Sequence, residues 1–412
     1  MVSELSQTVS SGLKIIDVKA TPVTVPMEAP LRWSLGVETG TTRTIIKLYT
    51  DRGIIGIGET YGGRGTVEAI NAAKPLFIGS DPFELGRLID KFQTFRISYE
   101  FNIPIYVLAG IEMACWDIIG KYLDKPLYSV LGGAAKKEVP FIAYLFYRYR
   151  SDDGKGGEST PDDLLNYYDQ LCSRYGCKFV GVKLKTGVFD PLEELKAVKA
   201  FRESFGENFL IRFDPNGAWS VETSIRILKQ MEKYDVEYVE DPTYTLEGMS
   251  LVRKSVDIPL GTNMCVINFE QIPLAVRMHA IDMVGLDIHY WGGFTLCKKL
   301  VGVAETFQLG IYVHSDRELG VSTAAILHFV ASHPYIVHAV DSHYHYQIGD
   351  VVTEEFAYKK GGVMKVPDGP GLGVEIDDKK LEKWHEYYKS HGEVIEFLDP
   401  KRPDWIPTLP LW

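Results

Sequence analysis

The sequence predicts an α/β fold: a (β/α)8 barrel of TIM type bearing an N-terminal α+β capping domain that the C-terminal segment completes. Three observations predict it. Between Phe179 and Asp341 a short apolar run that ends in a polar residue and leads into a helix-like segment recurs seven times. The polar endings lie about 25 residues apart, roughly what one strand, one helix and two short loops occupy. Runs such as "IPLG" and "IVHAV" are almost wholly apolar, as strands buried on both faces require. The chain has 412 residues, more than the ~250 of a single barrel, so a second domain is expected around it.

Taken in order, "KIIDVKATPVTVP" and "TRTIIKLYT" read as strands, and Asp51-Arg52-Gly53 before "IIGIGET" is a hairpin signal. A small antiparallel sheet follows from these. The stretch between the first two strands, about residues 27–42, reads as a long lid loop carrying Arg32 and Trp33. Residues 67–131 change to helical spacing. Ile105, Leu108, Ile111, Ala114, Cys115, Ile118, Ile119 and Tyr122 form one stripe, and Pro126 follows its end. The capping domain is therefore placed at 1–138 and the barrel at 139–345, with "VPFIAYLF" as its first strand. The polar, Gly-rich segment 151–160 is expected as a mobile loop at the barrel mouth.

Residues 346–412 leave the barrel through a turn-dense stretch and the polar helix "KKLEKWHEYYKSHG", returning to the capping domain. The tail "DPKRPDWIPTLPLW" holds four prolines and two tryptophans, so it cannot be helical throughout. Docking on this chain or on a neighbouring copy accounts for it better than free solvation, and a homo-oligomer is expected.

A formal net charge of −11 and no basic cluster argue against nucleic-acid or anionic-membrane partners and favour small-molecule chemistry. No apolar run reaches the ~18 residues of a membrane helix, and the N-terminus lacks the pattern of a secretory signal. Cys115, Cys172, Cys177, Cys265 and Cys297 are odd in number and lack paired metal-type spacing. They read as reduced thiols of a cytoplasmic protein.

The strand ends carry the chemistry. Asp214, Glu240 and Asn263 close three consecutive strands and offer oxygen ligands only, which suits Mg²⁺ rather than Zn²⁺. Lys183 and Lys185, two apart on one strand, point to the same face, the barrel interior. Their mutual proximity and a nearby cation are expected to lower a lysine pKa toward that of a base. His314 ends the seventh strand and Asp287 the sixth, so the carboxylate can orient the imidazole and raise its basicity. Such a set suits removal of the proton beside a metal-chelated carboxylate, with the metal and a lysine stabilising the enediolate. Loss of a β-hydroxyl then gives dehydration, and reprotonation from the other face gives epimerisation.

These residues resemble the enolase superfamily, in its mandelate racemase and muconate lactonising branch, and most closely the glucarate dehydratase group. The resemblance rests on "GIEMACWDIIGKYLDKPLYSVLGG", "YLF", "KLK", "DPNGAW", "EDP", "TNM", "VDSH" and "KGGVMKVPDGPGLGVEID", and spans nearly the whole chain. It implies Asp214, Glu240 and Asn263 as Mg²⁺ ligands, Lys185 as one acid/base with Lys183 beside it, and Asp287–His314 as the facing dyad. Asn216, Tyr144 and His343 are implied as substrate contacts; Arg32 in the lid is expected to join them. The reaction implied is dehydration of an acid sugar to its 2-keto-3-deoxy form. Where that group continues after the dyad histidine with Ser and two Asn, this chain reads "HSDRELG", placing Asp316, Arg317 and Glu318 at the mouth. An epimerase or racemase, a catalytically silent relative, and a glycoside hydrolase using Asp214 and Glu240 remain as alternatives.

Overall fold

A computed structural model of the protein describes residues 11–97 and 104–412. The chain opens with β1 (Ile15–Trp33), β2 (Gly36–Thr50) and β3 (Ile55–Tyr61), an antiparallel sheet in sequence order. The Asp51–Gly53 hairpin forms as expected. The lid loop does not. Apart from a bulge between Pro26 and Leu31, β1 and β2 stay paired out to Trp33 and Gly36, so residues 27–42 are a hairpin tip turning at Ser34-Leu35. The stretch reads as loop because residues such as Glu38 and Thr41 are polar, yet both are buried by the rest of the molecule. Tertiary packing here overrides local composition.

Helices α1 (Arg64–Phe77), α2 (Leu85–Ile97) and α3 (Ile105–Tyr122) cover one face of the sheet. The predicted stripe is the α3 core face. Its approach to β3 depends on Gly56 and Gly58, where a Cβ would fall 2.2 Å from the carbonyls of Ala114 and Gly110. Two buried acids of α3 hold the rest of the chain: Glu112 accepts the Phe294 and Thr295 N–H groups, and Asp117 accepts those of Ile57 and Leu372.

After α4 (Leu127–Val130) and β4 (Glu138–Pro140), the barrel runs through β5 (Ala143–Phe146), β6 (Gly181–Lys185), β7 (Leu210–Asp214), β8 (Tyr238–Glu240), β9 (Leu260–Thr262), β10 (Met283–Leu286) and β11 (Gly310–Val313). All are parallel, each hydrogen-bonded to its sequence neighbours. Helices from α5 (Pro161–Tyr175) to α11 (Gly320–Ser332) alternate with them. The eighth strand expected at "IVHAV" is reduced to one parallel bridge between Phe141 and Val340, with Ile142 N–H donating to Val340 O and Val340 N–H to Pro140 O. The barrel closes there by a single rung rather than a full ladder.

The C-terminal segment pairs β12 (Val363–Lys365) with β4, then α12 (Asp378–His391) packs on β1. The imidazole of His385 contacts Pro22 O, and Lys47 pairs with Asp378. The tail docks on its own chain. Val37 N–H donates to Glu396 O, Trp33 packs on Phe397, and Ser220 N–H donates to Trp412 O. Residues 151–160 are tied down by the Arg148–Glu158 ion pair. Among the described residues, no helix is long and apolar enough to cross a membrane.

Candidate active site

The polar strand ends converge on a cavity of about 240 Å³ at the C-terminal mouth of the barrel. Lys185, Asn263, His314 and His343 line it from the strand ends and the segments that follow them, with Tyr144 and Asn216 beside them. Trp33 and Glu38 of the β1–β2 tip and Glu396 and Phe397 of the tail cover it. Parallel strands aim their C-terminal side chains into one mouth, which is why residues far apart in sequence meet.

Lys183 is the electrostatic centre. Its Nζ lies 2.7 Å from Glu240, 2.9 Å from Asp341 and 3.5 Å from Asp214. Burial opposes its charge, but Asp341 and Glu240 outweigh burial and hold the ammonium well above the usual lysine range. The sequence predicts a lowered pKa at one of the two lysines without saying which; Lys183 is not that one, and the carboxylate the sequence did not place beside it is Asp341. Lys185 contacts Asp214 Oδ2 at 2.8 Å. Burial raises Asp214, yet Lys185 and Lys183 bring it below the ordinary carboxylate value.

Asp214 and Glu240, at the ends of β7 and β8, share Lys183, and Asn263, just after β9, lines the cavity. Backbone bonds fix two of them: Asn216 N–H donates to Asp214 Oδ1 at 3.0 Å, and Asn263 N–H to Asp241 Oδ2 at 2.8 Å. Burial lifts the Glu240 pKa against the pull of Lys183, and its Oε1 is buried without a hydrogen-bond partner. A buried carboxylate oxygen left unpaired is costly, and a divalent cation would satisfy it. Among the described residues no three His, Cys, Asp or Glu side chains form a metal-holding group; Asp214, Glu240 and Asn263 would offer two carboxylates and an amide. Such a set fits an oxygen-seeking cation like Mg²⁺.

His314 Nδ1 lies 3.0 Å from Asp287 Oδ2, as the strand order predicted. Burial opposes the imidazolium, but Asp287 prevails and lifts His314 to about 9. Burial likewise opposes the Asp287 charge, while His289 and His314 hold it well below the ordinary carboxylate value. Tyr61 of β3 also donates to Asp287 Oδ2, at 2.5 Å. This capping-domain contact, like the coverage by Glu396, had no signal in the sequence, whereas Glu38 belongs to the stretch expected as a lid.

His343 lines the cavity, and burial with Arg317 and Lys185 nearby pushes it well below the usual histidine range, so it is neutral. Arg32 does not line the cavity. Its guanidinium stacks between Tyr149 and Phe189, 4.6 Å from each ring centroid, because alternation along β1 turns it away from Trp33. Glu318 is also turned away, accepting from Ser315 Oγ and Asp316 N–H. Asp316 and Arg317 do line the cavity, whereas residues 151–160 do not. Asn216 and Arg317 hold left-handed backbone, φ 52° and 62°, of the kind that clusters at functional sites.

Comparison with known proteins gives a consistent picture. Residues 15–132 match the family described as Mandelate racemase / muconate lactonizing enzyme, N-terminal domain, and residues 166–380 match Enolase C-terminal domain-like. A probable glucarate dehydratase of Streptomyces coelicolor is 36% identical, covering 97% of this chain and 99% of its own. An arabinonate dehydratase of Saccharolobus solfataricus is 26% identical over 82% of this chain and 89% of its own. Among solved structures, an enolase from Thermobispora bispora complexed with magnesium and formate superposes with a TM-score of 0.90 at 36% identity, covering 97% of this chain and 100% of its own.

Proposed function

The chain belongs to the mandelate racemase/muconate lactonizing enzyme family of the enolase superfamily, and on that premise we propose that it is a Mg²⁺-dependent acid-sugar dehydratase. The observation that carries the reading is the pairing of Lys185 and Asp287-supported His314 on one small cavity beside Asp214, Glu240 and Asn263. The named activities of the relatives, glucarate, arabinonate and D-xylonate dehydratase, support the same class.

Bound at Asp214, Glu240 and Asn263, Mg²⁺ would supply Lewis-acid stabilisation of charge developing on a substrate carboxylate. The chain's own groups handle the protons. Lys185 takes the proton α to the carboxylate. His314, kept protonated through Nδ1 by Asp287, delivers a proton from Nε2 to the departing β-hydroxyl, releasing water and leaving a 2-keto-3-deoxy acid after tautomerisation. Lys183 stays charged and holds Glu240 and Asp214 in place. The tip and tail cover the cavity and limit water.

Proton NMR in D₂O separates these roles. Lys185→Ala should abolish α-proton exchange and product, whereas His314→Asn should keep slow exchange but lose elimination. Wild-type activity in the double variant would sink the reading. Because two acid/base groups share the cavity, epimerisation is the second reading, and deuterium entering the α-carbon without water loss would favour it.

A further inference from the structure

The cover of the cavity is acidic. Glu38 from the hairpin tip, Asp316 from the segment after β11 and Glu396 from the tail surround one cation, Arg317. That guanidinium is fully engaged by the chain itself. Its Nε reaches Asp316 Oδ1 at 2.8 Å and lies 3.9 Å from Glu38, Nη2 binds Asp316, and Nη1 pairs with Glu396. Tyr290 Oη closes the other Asp316 oxygen at 3.2 Å. An arginine that receives a carboxylate needs its planar fork open, and here each of the three guanidinium nitrogens already contacts a carboxylate of the chain. His343, the other basic side chain of this wall, lies 3.7 Å from Glu38 and is neutral.

Glu38 shows what the wall lacks. It is 6% exposed and its Oε2 has no hydrogen-bond partner, so a buried acceptor faces the cavity. Burial, with Glu396 and Asp316 close by, raises it to about 7 against the pull of Arg317. With Glu38 neutral, two carboxylates still face one guanidinium. A second carboxylate entering this wall would meet net negative charge and a guanidinium already paired with the chain's own carboxylates. A hydroxyl would instead donate to the orphaned oxygen.

We propose that the substrate is a monocarboxylic acid sugar, an aldonate whose far end is a neutral polyol, and that the Glu38–Asp316–Glu396 wall excludes the dicarboxylic aldarates. The specificity rests on the dehydratase reading above and names its substrate class. Glu396 gives the C-terminal tail a part in it, since the tail carboxylate is what occupies Arg317 Nη1.

Matched pairs test it: D-gluconate against D-glucarate and D-galactonate against galactarate, each with Mg²⁺, followed by α-proton exchange and product formation. The expected result is kcat/KM for an aldonate at least about 100-fold above its aldarate. Glu396→Gln and Asp316→Asn, both isosteric, should each narrow that ratio by about tenfold or more by relieving repulsion and releasing Arg317. Preference of the wild type for the aldarates overturns the inference and leaves the dehydratase reading standing. An unchanged ratio in both folded variants overturns the role of the wall. Absence of exchange with all four acids and with D-arabinonate and D-xylonate overturns the dehydratase reading, and this inference with it.

Discussion

Tyr61 and His314 meet on one oxygen: Asp287 Oδ2 accepts the Tyr61 hydroxyl at 2.5 Å and contacts His314 Nδ1 at 3.0 Å. Tyr61 ends the capping-domain sheet and His314 follows a barrel strand, so the orientation of the dyad depends on how the two domains dock. Burial and Asp287 hold the phenol well above its ordinary value, so it donates throughout the accessible pH range.

Tyr61→Phe removes that competing donor and leaves Asp287 Oδ2 to His314. The imidazolium should gain stability, moving the alkaline limb of the pH–kcat profile upward. Loss of the hydrogen bond and looser positioning should lower kcat by about 3–10-fold. A pH profile of wild type and variant checks both. An unmoved alkaline limb would show that the hydroxyl does not tune the dyad.

In metal-free protein His314 should titrate near 9, and NMR of the imidazole reads this directly. The sign for stability follows: the folded value lies above the ordinary ~6.5, so the ion pair's contribution is complete below about 6.5 and fades as pH rises through about 9. Asp287→Asn should lower the imidazole pKa, because burial is then opposed only by Glu240 and Asp316, and should flatten that part of the stability curve.

The two lysines should fail differently. Lys183→Ala leaves Glu240, Asp341 and Asp214 buried without their shared counter-charge. A loss of about 3–5 kcal/mol of stability is expected by urea denaturation, with much of the protein insoluble. Lys185→Ala leaves Asp214 with Lys183 and the Asn216 N–H, so it should fold with a midpoint close to wild type while losing turnover.

Mg²⁺ should stabilise the folded protein. At 100 times its Kd the gain is about 2.7 kcal/mol, visible as a rise in Tm of several degrees that EDTA reverses. Glu240→Gln should cancel most of the rise, since it neutralises one of the two carboxylate ligands. An equal rise in the variant would remove Glu240 from the ligand set.

The strand ends were legible because a parallel barrel converts a repeat in sequence into convergence in space. Lys185, Asp214, Glu240, Asn263, Asp287 and His314 each end a run that only strand periodicity needs to locate. What lay outside that repeat was not legible. Arg32 and Trp33 are adjacent, and only the pleat of β1 decides that Trp33 reaches the cavity while Arg32 stacks on Tyr149 and Phe189. Residues 27–42 resembled a loop because residues such as Glu38 and Thr41 are polar, and their burial comes from contacts with distant residues such as Arg317. Glu396 lies between α12 and the proline-rich tail, in a stretch with no periodicity, so its place beside Arg317 follows only from docking. The charge of Lys183 depends on Asp341, which belongs to the segment after the reduced eighth strand.

The central claim is that this cavity removes an α-proton from an acid sugar with help from a cation at Asp214, Glu240 and Asn263. Proton NMR of the purified protein in D₂O with Mg²⁺ and a panel of aldonates and aldarates, each repeated with EDTA, tests it most directly. The account predicts α-proton loss and a 2-keto-3-deoxy product from at least one acid, abolished by EDTA and restored by added Mg²⁺. Product formation unaffected by EDTA, or no exchange with any acid in the panel, would contradict it.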